Sequence, residues 1–224
     1  MKKLQDFFAG SGNKEMLFLL ISIFVLIFIV YPLVNNSNLS SFVTNIFLLI
    51  VLFTGVMSTN IKSNYKKIFV FFLVLLIILG QIGAIYENNF VTHLHLFSRI
   101  LLLWILVILV FVKVFNNNTI SFFYRITGSI TIYLLIGFIW ANMYFIFYMF
   151  RPDAFHFSFP VNPQDNVMFI FIYFSFENLT TLGYGDILPL KPFLKSLVIL
   201  ESVIGPLYLA ILIGRLVSKR TRNS

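Results

Sequence analysis

Long apolar runs alternate with short polar breaks along this chain, and the runs fall at 16–34, 42–58, 68–86, 97–115, 130–150 and 193–217. At a helical rise of about 1.5 Å per residue, stretches of this length cross roughly 30 Å of hydrocarbon. The breaks are polar, as in NNSNLSS at 35–41 and NNNT at 116–119. The first run follows Lys2, Lys3 and Lys14, a basic start like that of a signal peptide. It is too long for a signal-peptide core and no small-x-small cleavage site follows, so it is expected to stay as a helix. A further apolar piece at 167–179 is too short to span and ends in a glycine-rich turn. It is expected to be a re-entrant helix, which a membrane tolerates only where protein buries it or water surrounds it. The segment ISFFYRI at 120–126, and more weakly Leu4, Phe7 and Phe8, read either as interfacial amphipathic helix or as ordinary loop.

Composition fixes the solvent. Of the 224 residues 59% are apolar and 11% charged, with a mean hydropathy of +0.95. Soluble domains carry about 25% charged residues, so this chain is solvated mainly by lipid. Its length leaves no room for a large extramembrane domain. The expected order is an N-terminal tail (1–15), a four-helix membrane domain (16–118), a linker helix (119–127), a two-span unit (128–217) and a short tail (218–224). With no cysteine, disulfides, thiolate metal sites and cysteine nucleophiles are excluded.

The net charge of +8 raises the question of nucleic acid. Placing the charges answers it. If the N-terminus is cytoplasmic, 12 of the 16 basic residues fall on that side, leaving Arg99, Arg151, Lys191 and Lys195 opposite. That bias is the positive-inside signature of a multi-pass protein of the cell (inner or plasma) membrane with both termini cytoplasmic. No nucleic-acid partner is expected.

The candidate chemistry sits after the short helix, in Thr180, Thr181, Leu182, Gly183, Tyr184, Gly185 and Asp186. The two glycines open backbone angles closed to other residues, so successive carbonyls can face one side. A row of carbonyls repeated about an axis can replace a cation's hydration shell. The helix before it would aim its negative C-terminal end at the same place.

With this string between a short apolar helix and a long one, the last third of the chain closely resembles the potassium-channel pore family. The family pattern is an outer helix, a pore helix, a T-x-G-Y-G-D filter and an inner helix, here 130–150, 167–179, 181–186 and 193–217. The resemblance implies an all-α membrane protein with six transmembrane helices, assembled as a homotetramer because each chain supplies one filter. It implies K+ sites at the carbonyls of Thr181, Leu182, Gly183 and Tyr184 and the hydroxyl of Thr181, with Gly185 completing the run. K+ is then the permeant ion, and no cofactor is expected. The family more often has Val or Ile at Leu182, which touches packing behind the filter and not the carbonyl row. Tyr184 between the glycines favours potassium over nonselective pores.

Further positions carry over by the same resemblance. Tyr173 and Phe174 match aromatics that cuff the filter, where plain pore-helix burial is the alternative. Glu177 and Asp186 match a pair that shares a proton in some members; two close carboxyls in poor solvent cannot both ionise easily, so one pKa should rise, with independent, water-linked acids as the alternative. Thr180 is read as a further support of the filter. Gly205, 20 positions after Gly185, matches a hinge glycine, and Pro206 removes a backbone hydrogen bond there. Glu201 is an acid inside a membrane helix, facing the cavity or hydrogen-bonded behind the filter to Ser175 or Thr180, with the second preferred.

The first four spans resemble a voltage sensor emptied of its charges. Run 97–115 has Arg99 and Lys113 at its ends and nothing basic between, and Asn45 and Gln81 are the strongly polar interior groups of spans two and three. Strong voltage gating is not expected. Neither is enzyme activity, since no phosphate loop, hydrolase constellation or metal box is present. His93, His95 and His156 are read as solvated loop residues, with pH sensing or metal binding the sharper alternative. A nonselective cation channel, or a regulatory subunit of another channel, is the competing functional reading.

Overall fold

The computed structural model describes residues 13–34, 38–58, 68, 71–72, 75, 89–116, 121–162 and 165–221. The expected span at 68–86, with Gln81, therefore lies almost wholly outside the described residues. So do 1–12 of the N-terminal tail, 119–120 of the linker and 222–224 of the C-terminal tail.

The described chain is mostly helical. Helix α1 covers Asn13–Leu33, α2 Asn38–Ser58, α3 Asn89–Asn116, α4 Phe122–Phe150, α5 Val167–Leu179 and α6 Pro192–Thr221. Two three-residue strands, β1 (Phe155–Phe157) and β2 (Ile187–Pro189), pair antiparallel. Helices α1, α3, α4 and α6 are long and apolar enough to cross a membrane. The chain divides into two compact units: the first runs to Ile139 and takes in 165–166 as well, and the second comprises Trp140–Asn162 and the chain from Val167 on, where the sequence reading put the boundary at 127–128.

In the first unit α1 buries Met16, Leu19, Ile23, Leu26, Ile27 and Val30, a three-to-four residue spacing, while Phe18, Ile21, Phe24 and Phe28 stay exposed. A helix apolar on every face suits lipid and not water. Ahead of Pro32, which lacks an N–H, α1 widens into a π turn over Leu26–Val30, and the Tyr31 N–H bonds to the Leu26 carbonyl. The Asn166 side chain then donates to the carbonyls of Tyr31 and Val34, each at 3.0 Å, occupying acceptors the helix end leaves over. Helix α2 packs on α1, where Ser22 and Thr54 hydroxyls meet at 3.4 Å, and Gly55 lets Leu106 of α3 lie against the α2 backbone.

Helix α4 begins at Ser121, whose hydroxyl accepts the Tyr124 N–H at 3.1 Å as an N-cap and itself donates to Asn13 at 2.7 Å. From there it runs 29 residues without interruption. The segment expected as a separate interfacial linker is therefore, from 122 on, the first turns of one long helix. Two of its first polar residues, Tyr124 and Arg125, reach the ends of α2 and α3. Lys113 and the Tyr124 hydroxyl (2.9 Å) both donate to the Ser58 carbonyl at the end of α2, with the Lys113 ammonium 4.8 Å above the Tyr124 ring. Arg125 donates to the Val114 carbonyl in the last turn of α3 at 2.7 Å. Gly128 admits Val114 close against α4.

The expected outer-loop histidines are placed differently. Helix α3 starts at Asn89, well before the apolar run, so His93 and His95 lie within its first turns and His95 is buried. Replacing Tyr124→Phe keeps the ring beneath Lys113 and removes the hydroxyl from Ser58. Thermal unfolding in detergent should show a loss of about 1 kcal/mol; an unchanged midpoint would count against this staple.

Candidate functional site

The site starts where α5 ends. Leu182 N–H donates to the Glu177 carbonyl at 2.8 Å and Thr181 N–H to the Asn178 carbonyl at 3.0 Å, with Thr181 at φ 59°. A six-to-one bond, a five-to-two bond and a left-handed residue between them make a Schellman ending. Glycine usually fills that position, because a Cβ there costs roughly 1–2 kcal/mol. Here it is a threonine, whose hydroxyl donates to the Thr180 carbonyl at 2.6 Å. Thr180 in turn gives its N–H (3.0 Å) and its hydroxyl (2.6 Å) to the Phe176 carbonyl.

The left-handed conformation then recurs at every second residue, Gly183 at φ 65° and Gly185 at φ 75°. In a regular strand successive carbonyls point to opposite sides; alternating hand turns them to a common side. A Cβ at either glycine would meet nothing within 4 Å, so the requirement is conformational and not one of space. Residues 180–185 all lie exposed on the chain, Leu182 by 57% and Tyr184 by 67%.

The loop's N–H groups turn back into the protein. Gly185 N–H donates to Glu177 Oε1 at 3.1 Å, and Tyr184 N–H reaches the same carboxyl. The Tyr173 hydroxyl donates to Asp186 Oδ2 at 2.9 Å, and its ring stacks on Tyr184 with centroids 6.4 Å apart and planes 8° from parallel. The Asp186 charge acts on Glu177, and the remaining oxygens, Glu177 Oε2 and Asp186 Oδ1, are buried with no hydrogen bond among the described residues. The two aromatics expected as a cuff part company. Tyr173 serves the loop, whereas Phe174 is buried edge-on against Tyr144 (5.1 Å) and Phe155 (6.1 Å).

Past Asp186 the chain is strapped to the segment after α4. Ser158 N–H donates to the Asp186 carbonyl at 2.9 Å, the β1–β2 ladder sets His156 opposite Leu188, and Leu190 N–H donates to the Ala154 carbonyl at 2.8 Å. Lys191 and Asp153 close the strap as an exposed pair at 2.8 Å. The Lys191 hydrogen bond, with its charge and that of Arg151, holds the Asp153 carboxyl below the usual carboxylate range. What this pair contributes is present above the ordinary carboxylate pKa and fades as pH falls below it; exposure keeps the contribution small. His156 is exposed on β1, and among the described residues no group of three or more His, Asp or Glu could hold a metal.

Glu201, on α6, is fully buried. Ser175 of α5 donates to its Oε1 at 2.5 Å and Tyr144 of α4 to its Oε2 at 2.7 Å. Tyr144 is the residue that sequence reasoning missed. The available signal was chemical: a buried carboxyl needs donors, and α4 offers few hydroxyls at that depth. One turn on, Gly205 lies against the Leu179 carbonyl, where any Cβ would collide with the oxygen. Helix α6 runs unbroken through Gly205 and Pro206. Gly205, read in the sequence as a hinge, is also a point of close backbone approach in this helix.

Residues 122–222 match the ion channel family. The matched stretch, under half of the chain, begins with α4 and ends just past α6, so it contains the whole site. Comparison with curated proteins and with solved structures gives no match. Together with the apolar spans, the similarity marks a multi-pass membrane protein and supports passive ion conduction through its C-terminal part.

Two glycines of α6 separate packing from hinge flexibility. Gly205→Ala should cost about 3 kcal/mol or more, because the Leu179 backbone cannot give way as a side chain can. Gly214→Ala, with open space around it, should be neutral or gain up to about 1 kcal/mol from helix propensity. Melting curves in detergent compare them; equal melting temperatures would refute the close-approach role.

Proposed function

We propose that this chain is one subunit of a homotetrameric, potassium-selective channel of the cell membrane, with six spans and both termini cytoplasmic. The observation that carries the reading is the hydrogen-bond economy of the 180–186 loop. Its N–H groups at 180, 181, 182, 184 and 185 donate inward, and among the described residues none donates to the carbonyls of Thr181, Leu182, Gly183 or Tyr184. Four carbonyl oxygens on alternating-hand backbone, at the negative end of α5, form a lining for a dehydrated monovalent cation. The Thr181 hydroxyl oxygen adds a fifth.

Stoichiometry follows from the single copy. One such row coordinates an ion from one side, so several must surround an axis, and four complete the cage of this pore type. The surface is consistent with that. Only 11% of the apolar window of α6 is buried within its own chain, against 67% for α4, and Leu182 and Tyr184 are exposed. On the sequence reading, the 42–58 and 68–86 runs would be the two spans that complete six. Glu177 and Asp186 sharing one proton would satisfy the two oxygens left over behind the row.

Reconstituted in vesicles, the full chain should form tetramers that take up rubidium well and sodium poorly, and Gly183→Asp should reduce rubidium uptake to background. A monomeric particle, or uptake indifferent to that change, would reject the reading; comparable sodium uptake would favour a nonselective pore. The α3 sequence offers no ladder of gating charges, each of which would contribute ~2.3 kcal/mol per 100 mV. Current in symmetric potassium should therefore vary only weakly with voltage, and a steep conductance–voltage curve in planar bilayers would contradict the charge-poor assignment.

A further inference from the structure

Glu201 takes no part in the carbonyl row, yet it is an acid on a membrane helix, fully buried and with both oxygens engaged. Its surroundings decide what it can do. A carboxyl that attracted cations from a water-filled cavity would present an oxygen to that cavity. Here Oε1 accepts from Ser175 and Oε2 from Tyr144, so both oxygens face protein hydroxyls.

The two contacts between α5 and α6 are in register. Ser175 meets Glu201 and Leu179 meets Gly205, each pair four residues further along its helix than the last. The helices therefore run in the same direction and touch over one turn, a rise of about 6 Å. The lower contact fixes how near they lie, because the Leu179 carbonyl sits on a backbone without a Cβ. It does not fix sliding or rotation, since a glycine surface is smooth. The upper contact supplies that, as a 2.5 Å hydrogen bond tolerates little displacement. A glutamate has several rotors, and a single partner would leave its carboxyl free to turn. Tyr144 removes that freedom, and the Tyr144 ring is itself held by Phe174 of α5 and by Phe155. Leu179 is two residues before Thr181, so whatever sets the position of α5 sets the start of the carbonyl row.

We propose that Glu201 is a positioning residue for ion selection: it clamps α5 between α4 and α6 through Tyr144 and Ser175, and so holds the 181–184 carbonyls at their working spacing. This rests on the channel reading above. Selection between two cations depends on the number and placement of the oxygens that replace water, so a loosened clamp should blur selectivity before it abolishes passage.

The test uses the full chain in vesicles of mixed neutral and anionic phospholipid, with rubidium and sodium uptake measured in parallel and assembly checked by gel filtration. Ser175→Ala and Tyr144→Phe, both conservative, should each lower the rubidium-to-sodium uptake ratio about three- to tenfold while the protein stays assembled. Glu201→Gln should stay within about twofold of the original chain, since its amide can accept from one hydroxyl and donate to the other. Glu201→Leu should lose at least as much as either single hydroxyl variant. Adding Tyr144→Phe to Glu201→Leu should cost nothing more, the non-additivity expected of one clamp. Unchanged ratios in Ser175→Ala and Tyr144→Phe would overturn the proposal. So would Gln and Leu variants that lose total uptake equally at an unchanged ratio, the mark of a charge effect. If the unaltered chain takes up neither ion, the channel reading itself fails and the positioning role with it, a result separable from the others by that control.

Discussion

Backbone that leaves the helix inside a membrane must find partners for its own polar groups, because lipid offers none and each orphan costs several kcal/mol. The C-terminal unit is arranged around that constraint. The Schellman ending of α5 takes up the first N–H groups of the loop, Glu177 takes those of Gly185 and Tyr184, and the strap to Ser158 receives the Asp186 carbonyl. Donors are consumed on one side, which leaves acceptors on the other. On the channel reading, a cation site built this way would require no charged ligand. It requires a backbone whose hydrogen-bond ledger is deliberately one-sided.

Holding such a backbone still falls to groups behind it. Glu177 and Tyr173 pin the far end of the loop, and the Ser175–Glu201–Tyr144 cluster pins the helix from which it springs. Both devices use a buried carboxyl, and both give it hydroxyl or amide donors. Buried acids of this kind are tolerated because removing one partner is more costly than keeping all of them. The aromatic residues fill the remaining volume: Phe171 packs edge-on to Phe155 and Phe157, and Tyr148 to Phe157, so that the strap and α5 share one apolar cluster.

Much of this was legible in the sequence, and the reasons differ by element. Helix α5 occupies the residues expected of it, 167–179, because an apolar run with a glycine turn at its end has few alternatives in lipid. The ends of the long helices were less legible. Hydropathy stops where polarity begins, but the helical hydrogen-bond ladder does not, so α3 reaches back to Asn89 and α4 to Phe122. The two strands left no trace, since three residues are too few to show alternation. Among site residues, the glycines of the loop announce themselves through the conformations they permit. Tyr144 does not, as its role depends on which residue lies across from it in space. Gly205 was visible as a residue, while the close approach it permits was not, because a hinge and a close approach both call for a missing side chain.

The charges show how position in space can add to a reading made from counting. Lys113 and Arg125 were assigned to the cytoplasmic excess that orients the chain. In the fold they also lie at the ends of α2 and α3, where Lys113 donates to the Ser58 carbonyl and Arg125 to the Val114 carbonyl. A helix C-terminus carries partial negative charge on carbonyls with no intrahelical donor, and a cation there satisfies both the dipole and the hydrogen-bond deficit. These residues are buried or half-buried, and each donates to a backbone oxygen at a helix end. That explains how a membrane unit lacking countercharges in α2 can still hold basic side chains inward. They cap helices, and a cap that must stay in place to keep two helix ends satisfied is poorly suited to travel across a membrane field.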